Sequence, residues 1–535
     1  MIHSCSFLHF ISYFFNPHKK QSVHNFFILA SLFRHFVGLN FLYNYKKGYN
    51  MKRRNFLGLS GIAAMYLFIG TEGAEARRWK RRGNDGESGT ATPPPAVAPK
   101  ALPIPALIKP IDRNGVKHFD LNVNKAQHEF FDGILTNTFS ISSTYLGPTL
   151  LLTNGDNVSL NYTNNLSEEV TMHGHGMHVP ANMDGTPHQT IAPGATWSAQ
   201  YTVNQNACTN WYHPHTHHKT PHHVYQGLAG MIIIEDDESK TLDLPNRYGI
   251  DDIPVVLQDR FFTADKTALD YSPTQMQISR GYIGDVFITN GAIEPTFEAE
   301  AKEIRFRLLN GSNSSVYDLG FSNGKSFKQI GGDNSLLEAP VSMTRLVLSP
   351  GERAEIVVDL SNDSGASFTL HEYKNNKTFM TVNVSKDATA VTSLPNTLAE
   401  LDPIDLSLVT NTRKFNLGMR NMVFTINGKA MDMKRIDEVV PLGDTEIWEV
   451  NNMMGMDHNF HIHATHFRVI ERNDSAANVL ENEKGYKDVV YLKGNETVKL
   501  LVKMTDYTDA TVPYMYHCHF LEHENNAMMG QFTVV

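Results

Sequence analysis

From about residue 105 onward, apolar and polar positions alternate in short runs, such as V-S-L-N-Y-T (158–163), I-R-F-R-L-L (304–309) and A-E-I-V-V-D-L (354–360). A period of two sends alternate side chains to opposite faces, the pattern of a strand with one face buried. Gly, Asn, Asp and Pro close the runs at the spacing of β-sandwich domains. No long stretch keeps a period near 3.6. The pattern predicts an all-β chain.

The runs also repeat. The segment I-A-P-G-A-T-W-S-A (191–199) is echoed by L-S-P-G-E-R-A-E-I (348–356) and by L-K-G-N-E-T-V-K-L (492–500), each a Gly-containing turn entering a strand. The first and third copies match further. Gly155-Asp156 begins 18 residues before His173, and Gly443-Asp444 begins 18 before His461. Both copies then give H-x-H (His173/His175 and His461/His463) and a second H-x-H beyond the turn (His213/His215 and His517/His519). The middle copy has none, since no His occurs from 224 to 370. This predicts domains over 105–240, 241–395 and 396–535, a site shared between the first and third, and a middle domain that is a spacer with its own core.

The chemistry concentrates in Y-H-C-H-F-L-E-H-E-N-N-A-M-M (516–529). Cys518 lies between His517 and His519, with His523 five residues on and Met528 ten on. Two imidazoles, a thiolate and a weak axial thioether make a type 1 blue-copper site. The missing imidazole can come from M-D-H-N-F-H-I-H (456–463). On a strand the neighbours of Cys518 point away from it, so His517 and His519 are free to bind other ions and wire one site to another. Each H-x-H pair likewise shares a face. Imidazole alone suits copper, zinc, iron and nickel; the link to a Cys/His/Met set favours copper and electron transfer. His178, His188, His217, His218, His222, His223 and His466 fall off the pattern and are read as surface residues or supports for the ligands. Met453, Met454 and Met456 precede His458, and soft thioethers there serve either a cuprous substrate or adaptable packing.

Length and charge narrow the class. A chain of 535 residues, 41% hydrophobic, supports about three domains. Its three cysteines, Cys5, Cys208 and Cys518, leave no disulfide framework once Cys518 is given to a metal. The net charge is −9, and becomes −15 over residues 77–535. That balance argues against nucleic acid and is compatible with cationic substrates. Residues 1–50 show no clear period and are read as an upstream extension to a true start at Met51. Residues 51–76 have a basic start, an apolar stretch and the exit Ala74-Glu75-Ala76, a signal peptide too short to remain as a membrane span. Arg53-Arg54-Asn55-Phe56-Leu57 is similar to the twin-arginine export motif, which predicts a periplasmic protein. Residues 77–104, basic and then Gly/Ser/Pro-rich, are expected to be a disordered lead-in.

Over roughly 105–535 these residues resemble the multicopper oxidases, in the bacterial three-domain laccase and copper-efflux oxidase branch. The four H-x-H motifs carry the resemblance, with Y-L-G-P-T-L (145–150), I-T-N-G-A-I (288–293) and G-L-A-G-M-I-I-I-E-D (227–236). It implies three cupredoxin-like Greek-key sandwiches and one-electron oxidation of a phenol, or of Cu(I), Fe(II) or Mn(II), coupled to reduction of dioxygen to water on four copper ions. By the same resemblance His458, Cys518, His523 and axial Met528 hold the type 1 ion, and His173 and His461 the type 2. His175, His213 and His519 hold one type 3 ion, and His215, His463 and His517 the other. Asp184 and Glu524 match the family's acids for proton delivery. Gly174 stands where an aromatic is usual, which is expected to loosen the wall of the cluster, and Ala464 replaces a common Gly. Competing readings are a copper nitrite reductase, which the double H-x-H set disfavours, and a non-catalytic cupredoxin scaffold or copper store, as in relatives that lost their ligands and serve cell division. A site completed within one chain predicts a monomer.

Overall fold

The computed structural model describes residues 100–388 and 394–535. The upstream extension, the signal peptide with its twin-arginine motif, Cys5 and most of the 77–104 lead-in lie outside the described residues. The end of that lead-in is ordered. Leu102 donates to the Thr296 carbonyl at 2.8 Å and joins the core of the middle sandwich.

The described residues form six sheets, stacked in pairs as three sandwiches. In the first, His173–His175, Cys208–His213, Gly230–Glu235, Thr149–Thr153 and Leu107–Ile108 make one sheet. Val116–Phe131, Asn157–Asn164 and Thr196–Thr202 lead the other. The third repeats the plan, with His458–Ile462 beside Asp509–His517 and Met529–Val534 in one sheet and Thr445–Asn452 beside Thr497–Lys503 in the other. The alternation seen in sequence is the alternation of burial. Along Thr497–Lys503, Val498, Leu500 and Val502 are buried and the residues between them are not. Each sandwich closes on its own core, built around Tyr162 and Tyr212 in the first, Phe306, Tyr317 and Phe379 in the second, and Trp448, Phe415 and Tyr516 in the third. Trp448 is fully buried, and its indole N–H is satisfied by Glu446 at 2.9 Å. Trp448→Ala should therefore cost about 3–5 kcal/mol of unfolding free energy in a denaturant titration.

Among the described residues the α-helices are short: α1 (Thr220–Tyr225), α2 (Gln275–Arg280) and α3 (Leu521–Asn525). Pro221 favours the first turn of α1. A capping box from Thr274 and Gln277 starts α2, and Gly281 at φ 100° ends it. At five or six residues they are too brief to show a helical period, and the sequence pattern misses them. α1 and α2 both pack against α3, which carries His523 and Glu524. Among the described residues no helix is long and apolar enough to cross a membrane.

Candidate metal centre

The same register recurs in both outer sandwiches. His173 lies directly opposite His213 on the neighbouring strand, and His461 directly opposite His517. Opposed residues of an antiparallel pair project to the same face, so each sandwich gathers its imidazoles on one surface. The two surfaces meet. His175 stacks on His461 with ring centroids 3.8 Å apart, and His173 on His463 at 3.9 Å. All eight paired imidazoles are buried around one hollow.

Within it the ligand nitrogens fall into groups whose atoms lie within 4.8 Å of one another: His173, His175 and His461; His175, His213 and His519; His215, His463 and His517. His517 Nε2 is 3.1 Å from both His215 Nε2 and His463 Nε2. Three ring nitrogens converging on one point are a donor set that a cation would complete. Burial drives His175, His213, His215, His461, His463 and His519 far below the usual histidine range, and His517 to about 3, so at neutral pH these rings present lone pairs. His173 Nε2, His461 Nε2 and both ring nitrogens of His519 are buried without a partner, the state in which a metal would replace the missing hydrogen bonds.

A fourth group forms beside the first three. His458 opens its strand, Cys518 follows the end of Asp509–His517, and His523 comes from α3. Cys518 Sγ is 3.6 Å from His458 Nδ1 and 3.8 Å from His523 Nδ1, which lie 3.1 Å from each other. Met528 is buried next to them, its carbonyl accepting from the Cys518 N–H at 3.1 Å. Burial pushes the Cys518 thiol up to about 12. A thiolate in so apolar a place needs a cation to hold it, and two imidazoles with a thioether select copper. The residues present fit that ion.

The histidines are aimed by acceptors behind them. Asp184 takes Nδ1–H of His173 on its carbonyl and Nδ1–H of His463 on Oδ2, each at 2.7 Å. Asp488, in the third sandwich, takes Nδ1–H of His461 on its carbonyl at 2.8 Å and Nε2–H of His175 on Oδ1 at 2.9 Å. Each aspartate thus orients one imidazole from its own sandwich and one from the other, fixing which nitrogen faces the hollow. Glu524 sits behind a different pair, with Oε1 3.6 Å from His215 Nδ1 and Oε2 3.5 Å from His517 Nδ1. Burial pushes its carboxyl up to about 8.

Several sequence readings need correction. Gly174 does not loosen the wall, because a Cβ there would meet Met177 Cγ at 2.9 Å; the Met177 side chain fills the space. Ala464 holds φ at 55°, the left-handed conformation that makes glycine the easier residue. His223 is buried, 3.6 Å from Glu168, and not at the surface. His178 is buried too, and joins the outer sandwiches through the Ala464 carbonyl and Asp506, both at 2.8 Å. His466 reaches back to the Gly176 carbonyl at 3.0 Å. His217, His218 and His222 enter none of the ligand groups. Asp488, Arg353 and Asn459 were missed. Their only signal was polar residues embedded in apolar runs, as in K-D-V-V-Y-L (487–492) and P-G-E-R-A-E-I-V-V (350–358).

The middle sandwich is no spacer. Its turn at 348–353 enters the centre. Asn459 donates to Ser349 Oγ and the Pro350 carbonyl, and accepts the His519 N–H at 2.6 Å. Gly351, at φ 85°, lies so close to the His519 ring that a Cβ would stand 3.2 Å from three of its atoms.

A cavity of about 120 Å³ opens beside His523, lined by Ser279, Arg280, Val316, Met456, Asp457 and Phe520 among others. His523 Nε2 faces the Ser279 carbonyl at 3.3 Å.

A sandwich that gathers a thiol, two imidazoles and a thioether, joined by the cysteine's two neighbours to a cage of imidazoles, has the build of a cupredoxin-type redox metalloprotein. Family models described as multicopper oxidase match residues 122–239 and 403–535. The multicopper oxidase Mco of Staphylococcus haemolyticus is 38% identical over 427 residues, covering 79% of this chain and 90% of that protein. The cell division protein FtsP of Xenorhabdus nematophila is 35% identical over 454 residues, covering 82% and 92%. Among solved structures, the laccase-like multicopper oxidase CueO from Ochrobactrum sp. superposes with a TM-score of 0.75 at 33% identity, over 81% of this chain and all of that one. The chain belongs to the multicopper oxidase family, and it is an oxidase.

Proposed function

We propose that the chain oxidises a small reductant one electron at a time beside His523 and reduces dioxygen to water in the imidazole hollow, using four copper ions. His458, Cys518, His523 and Met528 would hold the first; His173 and His461 the second; His175, His213 and His519, and His215, His463 and His517, the remaining two. Copper bound in these places supplies single-electron redox chemistry at the sulfur and a store of electrons at the hollow. The observation that carries the reading is Cys518, one residue covalently continuous with two of the three imidazole groups. An electron entering at its sulfur has a bonded route to His517 and His519. Four such electrons, four protons and one dioxygen balance as two waters.

The other readings have less support. A nitrite reductase would need a single further copper, whereas eight paired imidazoles surround this hollow. The likeness to FtsP raises a scaffold role, but here the ten histidines, Cys518 and Met528 are all present. The complete site within one chain supports a monomer, and the leader over 51–76 supports twin-arginine export to the periplasm.

The cavity supports a one-ring phenol as reductant, since its volume is close to that of the roughly 150 Å³ cavity known to bind benzene. Met456 and Asp457 on its wall favour a metal ion as the second reading, because thioethers suit Cu(I). The test is a rate comparison with a methoxyphenol, Cu(I) and Fe(II) at matched oxygen, following oxygen uptake. Four reductant equivalents per dioxygen are expected, and a two-electron ratio would refute the coupling. Met456→Leu should lower cuprous oxidation several-fold and leave the phenol rate within about two-fold. Met454→Leu, which changes a residue packed on the same core but not among the cavity's lining residues, is the control. An equal fall with both substrates would mean that only packing was disturbed.

A further inference from the structure

We infer that Arg353, from the sandwich that contributes no ligand, is a positioning residue for the copper cluster, acting through Asp488. The inference rests on the four-copper reading and says what holds that cluster in shape.

The Arg353 guanidinium is fully buried, and the structure gives each of its nitrogens a partner. Nε donates to the Thr209 carbonyl at 2.9 Å, Nη1 to the Gly351 carbonyl at 3.0 Å, and one Nη2–H is shared between Asn210 Oδ1 at 2.7 Å and the Asp333 carbonyl at 3.0 Å. The remaining two bonds form a fork on Asp488, Nη1 to Oδ1 at 2.7 Å and Nη2 to Oδ2 at 2.6 Å. Asn334, also from the middle sandwich, adds a bond to Oδ2 at 2.6 Å. A two-pronged Arg–carboxylate pair fixes both the position and the plane of the carboxylate. That carboxylate is the one that accepts His175 Nε2–H, and the same residue's carbonyl accepts His461 Nδ1–H. The fork therefore sets the direction of two imidazoles, one from each outer sandwich.

Asp184 provides the internal comparison. It plays the matching part for His173 and His463, yet among the described residues no Lys or Arg pairs with it, and its Oδ1 accepts no hydrogen bond. The two acids are alike toward the histidines and unlike behind. Asp488 is anchored on both oxygens by Arg353 and Asn334, whereas Asp184 Oδ1 lies 3.3 Å from His173 Nδ1 and accepts no hydrogen bond. Arg353 and Thr209, Asn210 and Asp488 also bring all three sandwiches to one guanidinium. A chain that placed its histidines only by the first–third contact would lack this third point of reference.

Arg353→Lys tests the inference, since lysine keeps the charge and loses the planar fork. Copper-loaded wild type and variant are challenged with a chelator while the type 2 signal is followed by electron paramagnetic resonance and the type 1 ion by its blue absorption. Removing a group that orients metal ligands costs about 10–100-fold in metal affinity. The expected result is a loss of that size for the type 2 copper assigned to His173 and His461, with the blue band unchanged. Thermal unfolding of both proteins without copper separates this from mere stability: a lower unfolding midpoint with wild-type copper retention would overturn the inference. Should Arg353→Lys fail to fold, Asn334→Ala removes one bond to the same carboxylate. It should give a smaller loss of the same copper, and no loss would overturn the inference equally. A wild type that never binds type 2 copper would instead refute the four-copper reading itself.

Discussion

Cys518→Ser should yield a colourless protein that binds one copper fewer and does not turn over. The blue colour belongs to a thiolate on copper, and a serine hydroxyl is neither soft nor ionised at neutral pH. The rest of the molecule should tolerate the change. Ser differs from Cys by one atom, and the site lies at the end of a strand whose main chain is fixed by the Met528 carbonyl and by Asn459. A buried hydroxyl with poor partners costs about 1–3 kcal/mol, well short of unfolding a chain with three separate cores. The copper ions in the imidazole hollow should remain, because none of their proposed ligands is altered. Absorption, copper analysis and oxygen uptake on one preparation check all of this. A wild type that is fully loaded with copper and still colourless would remove the type 1 assignment, and a blue serine variant would move it to another residue.

The clustering of the histidines and Cys518 was legible in the sequence because both periods involved are short. The i, i+2 spacing within H-x-H and the i±1 spacing around Cys518 survive without any knowledge of tertiary structure, since a strand dictates them. His173 and His213 face each other, as do His461 and His517, because the same pattern was written twice. The three sandwiches were legible for a like reason: alternation along stretches such as 497–503 is what one buried face requires.

What escaped was whatever depended on a contact between distant segments. Asp488 lies 313 residues from His175, and nothing near it in the chain marks it as an acceptor. Arg353 looked like an ordinary charge entering a strand, when its burial and its fork are set by residues from the other two sandwiches. The reading of the middle domain as a spacer failed on that point. A lack of H-x-H pairs says that a domain lends no paired imidazoles to the centre, and says nothing about whether it holds the residues that do. The Gly174 reading failed similarly, because the atom that fills the gap belongs to Met177 after the chain has turned. The helix α3 was missed because five residues cannot display a helical period, yet it delivers His523 and Glu524 to different centres from adjacent positions.

Glu524→Gln should slow oxygen reduction by about 100-fold or more while the protein stays blue. The proposed reduction of dioxygen to two waters would take four protons into a hollow walled by buried rings, which calls for a carrier at its edge. Glu524 stands there. Its two oxygens lie 3.6 Å and 3.5 Å from the outward nitrogens of His215 and His517, and Oε2 has no hydrogen-bond partner. Gln preserves the shape but has no proton to transfer, and a positioned proton donor is typically worth about 10²–10⁴ in rate. The defect should fall on one half of the cycle. Bleaching of the blue band by reductant without oxygen should keep its wild-type rate, because Cys518, His458 and His523 are intact. Return of the colour on adding oxygen should be slow. Asp184→Asn should share the slow return and also weaken copper retention, since Asp184 orients His173 and His463 as well. If both halves slow together in Glu524→Gln, the carboxylate was supporting α3 and the ligands on it. If neither slows, protons reach the hollow by another path.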